Sequence, residues 1–122
     1  MSIDAQDLAN RYAAVWNEAN ATARRAGVAA LWHADGVHWV GTREARGLAA
    51  LEARVADAWR KNVHDNGHVF RAVQDAQALR DGVVFHWEMI RPETQRVVAV
   101  GLEFLQLDET GLILRDYQYI VG

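Results

Sequence analysis

Apolar residues recur at helical spacing from Leu8 through Tyr12, Val15 and Trp16 to Ala19, behind Asp4, a residue type that caps helix N-termini. The spacing predicts a first helix. Asn20-Ala21-Thr22 offers a break and a fresh cap, and Val28, Leu31 and Trp32 predict a second, shorter helix that reaches Ala34 before Asp35-Gly36 ends it. Val37 to Gly41 reads as a short strand. Gly47 then precedes a third helix in which Leu48, Leu51, Val55, Ala58 and Trp59 share a face, a pattern that fades around Asn62.

Beyond Asn62 the period shortens. Val69–Leu79, Val83–Ile90, Arg96–Leu107 and Leu112–Val121 are separated by turn-forming residues and predict four further strands. Asp81-Gly82 is a tight-hairpin signal, because glycine tolerates the positive φ of such a turn. Arg91-Pro92-Glu93-Thr94 and Asp108-Glu109-Thr110-Gly111 predict longer turns, so these strands are expected to be antiparallel neighbours. The order helix, helix, strand, helix and four strands predicts an α+β fold, a curved antiparallel sheet with three helices on one face.

Composition narrows the function classes. The 122 residues carry no linker-like stretch and are expected to form one domain, 1–122. A net charge of -3 without a clustered basic face argues against nucleic acid and anionic membranes as partners. The longest apolar run, Val97–Leu102, falls far short of the ~18 residues that span a bilayer. Met1-Ser2-Ile3-Asp4 is not the basic-then-apolar start of a signal peptide, and a cytoplasmic chain is expected. The absence of cysteine removes disulfides, thiolate catalysis and zinc-thiolate sites.

Four stretches in order, "RYAAVWNE", "ALWHADGVHW", "RGLAAL" and "VGLEFLQLDETGLI", resemble the SnoaL-like branch of the nuclear-transport-factor-2-like superfamily, which includes ketosteroid isomerases and polyketide cyclases. The resemblance covers nearly the whole chain. It implies a cone with an apolar pocket between helices and concave sheet, and a homodimer formed through the outer sheet face. In the ketosteroid isomerase pattern, a tyrosine one turn into the first helix donates to a developing oxyanion, and Tyr12 takes that place. A protonated acid assists from the penultimate strand, at Glu103 here, where glutamate replaces the usual aspartate. The general base of that pattern falls on Val40, which cannot exchange a proton, so the usual isomerisation route is not expected.

The residues themselves suggest a replacement. If Val40 faces the pocket, alternation puts His38 on the same side and Trp39 on the other, and an imidazole exchanges protons near neutrality. A hydrogen-bonded core histidine is the rival reading. Glu103 alternates with Leu105 and Leu107, so it is expected to face inward, where it must be paired or protonated. The same register turns Asp116, Gln118 and Ile120 inward and Tyr117 and Tyr119 outward. Phe85, Trp87 and Met89 share the concave face, leaving His86 and Glu88 outside.

The remaining aromatic and charged residues divide between core, pocket and surface. Trp16 is read as core or pocket wall, and Val55, Trp59, Trp87 and Gln118 as pocket lining. His33 is expected at the end of the second helix, His64 and His68 at the surface beside a turn. The two histidines of "LWHADGVHW" show no recognised ligand spacing, so neither a metal nor another cofactor is expected. Arg24-Arg25, Arg43 and Arg46 could answer an anionic substrate, though exposed solubilising charge is the plainer reading. Together these features suggest a small-molecule pocket protein, either a cofactor-independent acid/base enzyme (isomerase, cyclase or hydrolase) with His38, Tyr12, Glu103 and Asp116 as its machinery, or a non-catalytic binding or dimerisation module.

Overall fold

The computed structural model describes residues 2–122, leaving Met1 outside. Helices α1 (Ala5–Asn17), α2 (Ala21–Leu31) and α3 (Leu48–Ala58) pack on one side of a single sheet built from β1 (Trp32–Val40), β2 (Arg43–Arg46), β3 (Val69–Ala72), β4 (Gln77–Leu79), β5 (Gly82–Arg91), β6 (Arg96–Leu107) and β7 (Ile113–Ile120). The predicted α+β class and its three helices are present. The sheet, however, is open and mixed, with seven strands: β5, β6 and β7 run antiparallel, whereas β1 lies parallel to β7.

Local chemistry explains the helix starts. Asp4 and Asn20 each accept a bond from the backbone N–H three residues on, satisfying one of the donors a helix N-terminus leaves free. The buried stripe of α1 is Leu8, Ala9, Tyr12, Ala13, Val15 and Trp16. Ala19 falls past its end.

Several boundaries differ from the sequence reading. The second helix stops at Leu31, and Trp32, His33 and Ala34 already belong to β1. The pairing of β1 with β7 shifts between Trp32 and Val37. Gly36 sits in that bulge, where an added Cβ would lie 2.9 Å from the Ile113 carbonyl oxygen and 3.0 Å from that of His33. His33 is therefore a strand residue just past the C-cap of α2, and its Nδ1 accepts the backbone N–H of Asp35. A two-residue turn after Val40 adds β2, a strand the periodicity did not reveal. Beyond Ala58 the third helix widens into a π-helical stretch, Trp59–Asp65, which explains why its 3.6-residue pattern fades. The run Val69–Leu79 divides into β3 and β4, both paired to β5. At the β4–β5 hairpin the positive φ (54°) belongs to Arg80, two residues earlier than the glycine that signalled the turn.

Leu8, Trp16, Val28, Leu31, Trp32, Leu51, Val55, Val83, Phe85, Leu105 and Ile113 form one continuous core between helices and sheet. Alternation is clean where it matters. Glu103, Leu105 and Leu107 are buried while Phe104 is exposed, and Asp116 is buried between exposed Arg115 and Tyr117. Among the described residues no helix is long and apolar enough to cross a membrane.

Candidate functional site

Register assembles the polar cluster. His38 on β1 stands opposite Asp116 on β7, Val40 stands opposite Gln118, and Gln118 in turn stands opposite Glu103 on β6. Paired residues project from the same face of a sheet, so three strands place a histidine, two acids and an amide side by side. From the helical layer Tyr12 reaches down onto them.

Trp87 joins from β5 through a gap in the neighbouring strand. It pairs directly with Gly101, and a Cβ there would fall about 2.0 Å from the indole ring. Only glycine leaves room for the ring to lie flat across β6. Lying so, it donates its indole N–H to Glu103 Oε1 at 2.9 Å.

The bonds form two chains. Tyr12 donates its hydroxyl to Asp116 Oδ2 at 2.7 Å. Arg54 of α3 donates from Nη1 to His38 Nδ1 at 2.7 Å, and the other ring nitrogen lies 2.9 Å from Gln118 Oε1. A guanidinium only donates, so Nδ1 carries no proton and Nε2–H must donate to Gln118. His38 is thereby a neutral imidazole whose lone pair is capped by Arg54. The chains approach each other where His38 Nε2 and Asp116 Oδ2 stand 4.0 Å apart.

Glu103 and Asp116 are completely buried, and Glu103 Oε2 and Asp116 Oδ1 have no other partner. Two carboxylates this close cannot both ionise at reasonable cost. Burial first, and then the charge of Asp116, pushes the Glu103 carboxyl well above its ordinary range, opposed by the Trp87 N–H. Glu103 is therefore held as a neutral acid, hydrogen-bonded to Asp116. Burial first, and then the charge of Asp116, raises the Tyr12 hydroxyl well above its ordinary range, so it stays a donor.

Oxygen and nitrogen atoms of His38, Glu103 and Asp116 lie within 4.8 Å of one another, close enough to surround a cation. Their donors are otherwise engaged. Tyr12 and Trp87 already donate to one oxygen of each acid, the two acids bond one another, and His38 Nε2, which faces Asp116, already bonds Gln118. This set fits a proton better than a metal.

Above the cluster lies a cavity of about 310 Å³. Tyr12, Trp16, His38, Val40, Trp87 and Gln118 line it, together with Phe70, Met89, Ala99 and Ile120. Glu103 and Asp116 lie one hydrogen bond behind that lining. Val55 and Trp59, expected as pocket residues, are not part of it. Val55 faces the core, and Trp59 turns away to pack under the Arg24 guanidinium, 4.8 Å from its ring centre, and against His64. His68 is buried rather than at the surface.

The charged cavity residues that the sequence reading missed come from α3 and its extension, and Ala13, Phe70 and Ala99 were missed as well. Arg54, Asp57, Ala58 and Lys61 line the cavity and recur at i, i+3, i+4 and i+7, a second stripe beside the core stripe of Leu51 and Val55. That spacing was the available signal.

The fold has counterparts among known proteins. The SnoaL-like domain model matches residues 9–115. No curated protein matches the chain. Among solved structures, a protein of Agrobacterium tumefaciens provisionally named an isomerase of the SnoaL-like family superposes with a TM-score of 0.87 at 23% identity, over 97% of each chain. A protein of Sinorhizobium meliloti provisionally named a polyketide cyclase gives 0.67 at 13% identity, over 93% of this chain and 94% of that one. A nuclear-transport-factor-2-like protein of unknown function from an Exiguobacterium species gives 0.71 at 13%, over 94% and 98%. At such identities the likeness carries the fold, and a domain match over most of the length carries the family: this chain belongs to the SnoaL-like domain family.

Proposed function

We propose that the cavity is the active site of a cofactor-independent acid/base enzyme acting on a small, largely apolar carbonyl compound. The observation that carries this reading is the convergence of a protonated tyrosine and a neutral histidine on one cavity, backed by a carboxyl pair that holds one proton. His38 removes a proton from carbon or from water. Tyr12 turns its hydroxyl from Asp116 to the substrate oxygen as negative charge gathers there. Asp116 keeps the proton of Glu103 as a bond partner while Tyr12 is turned away. Isomerisation, ring closure and hydrolysis all draw on this set.

The test is proton exchange. Small cyclic ketones, some neutral and some carrying a carboxylate, are incubated with the protein in heavy water, and at least one of the two kinds should lose its α-hydrogens, followed by NMR. Tyr12→Phe should slow exchange about a hundredfold, and His38→Gln by about a hundredfold or more, with far-ultraviolet circular dichroism showing that each variant is folded. Exchange at the wild-type rate in both variants rules the assignment out. One observation favours a second reading, a binding module without chemistry: both His38 nitrogens are already bonded. Binding of the ketones without any exchange is the outcome that selects it.

The same reading makes the chain a homodimer through the outer sheet face. There Trp39, Phe104 and Tyr117 form a ring cluster, with centroids 4.9 and 6.0 Å apart, and Tyr119 is exposed beside it.

A further inference from the structure

We infer that the ligand of this cavity carries a carboxylate, which Arg54 and Arg43 bind at the mouth, and that seating the anion draws Arg54 off His38 and frees the Nδ1 lone pair. The inference rests on the small-molecule reading above and names the substrate class.

Arg43, Arg54 and Lys61 all line the cavity, and among the described residues none of them meets a carboxylate within ion-pair distance. The one acid at the mouth, Asp57, is already paired with Arg60 at 3.4 Å. The one charge of the buried carboxyl pair is spread over bonds from Tyr12 and Glu103. Three cations thus face the opening with no anion of their own. Burial first, and then the neighbouring charge of Arg43, holds the Arg54 guanidinium below its ordinary value, so the two arginines repel across the opening. An anion between them relieves both effects.

Arg54 spends its strongest bond on a neutral imidazole. A carboxylate adds an opposite full charge and a second N–H···O bond to the same guanidinium, so a ligand carboxylate competes well for it. A guanidinium fork pairs with either a carboxylate or a phosphate, and the compact carboxylate is the one that leaves a cavity of about 310 Å³ room for an apolar ring. The rest of the ligand meets Trp16, Phe70, Trp87 and Met89, an apolar wall suited to a ring or short chain. Such a molecule would present its far end to Tyr12 and its near end to Arg54. The capped base then becomes active only with an anionic substrate in place, and adventitious neutral carbonyl compounds meet an occupied histidine.

Naphthoate and naphthamide have the same shape and differ in charge, and tryptophan fluorescence reports their binding through Trp16 and Trp87. The expected result is a preference of about tenfold or more for naphthoate, weakening as salt is raised. Arg54→Gln and the exposed Arg43→Gln should each cut naphthoate affinity about tenfold and leave naphthamide within about twofold. Arg43 bonds nothing in the core, so the second variant remains informative if the first folds poorly. Ring-nitrogen NMR of His38 should show its Nδ1 signal change on adding naphthoate and stay unchanged with naphthamide. Equal affinity for the two compounds, or an intact preference in both variants, overturns the inference. A naphthoate preference with no proton exchange in either neutral or carboxylate-bearing ketones upholds the anion site while removing the acid/base reading, so the two failures are separable.

Discussion

Glu103 accepts the indole N–H of Trp87 on one oxygen and bonds Asp116 from the other side of its carboxyl. Its alternation with Leu105 and Leu107 predicts an inward carboxyl, and it is completely buried. That Asp116 lies beside it across β7 is a matter of sheet register, which local pattern does not fix. His38 is similar: its inward position follows from alternation, whereas its bond to Arg54 joins residues 16 apart on a strand and a helix. The carboxyl pair makes two predictions. In Glu103→Gln the amide oxygen can accept from Trp87 and the amide N–H can donate to Asp116, reproducing the protonated acid. The variant should keep its melting temperature within about 5 °C near pH 5, whereas Glu103→Leu strands the indole N–H and one Asp116 oxygen and should lose about 1–3 kcal/mol. The second concerns pH. A folded pKa raised above the ordinary value near 4.5 means that the folded state holds the proton longer, so stability from this group is complete below that value and is lost as pH rises towards the folded pKa. Thermal unfolding of Glu103→Gln against the natural protein should therefore show the variant gaining relative stability above pH 5; parallel curves would refute the neutral acid.

At the scale of elements, β6 and its crossing by Trp87 decide whether the site holds together. Aromatic and apolar alternation identified the face of β5, yet nothing local to Gly101 announced that a ring would lie on it. Gly101→Ala should push the indole off Glu103 and cost about 1–3 kcal/mol, measurable by urea unfolding, with a change in tryptophan emission at equal folded fraction. An unchanged emission spectrum would mean that the ring does not depend on that gap. Helix limits followed caps well at Asp4 and Asn20. They failed at Trp32, where an apolar residue continued the helical stripe but tertiary pairing with Ile113 drew the chain into a strand. The π-helical stretch after Ala58 failed for another reason, since no 3.6-residue template describes it.

At the scale of the molecule, strand order β2-β1-β7-β6-β5-β3 places first and last strands side by side, so the site gathers residues from both halves of the chain. Class and helical layer could be read from period changes. The parallel pairing of β1 with β7 could not, because no turn connects them. The exposed rings on the outer face predict that light scattering after size exclusion gives twice the 13.7 kDa chain mass, and that Phe104→Arg with Tyr119→Arg gives the single mass; a monomer in the natural protein would contradict the dimer. All functional arguments return to one proton held between two buried acids beneath Tyr12. Infrared spectroscopy at neutral pH reads it most directly, as the carbonyl stretch of a protonated carboxylic acid that is present in the natural protein and missing from Glu103→Gln. A natural protein without that band, with both carboxyls ionised, would contradict the account.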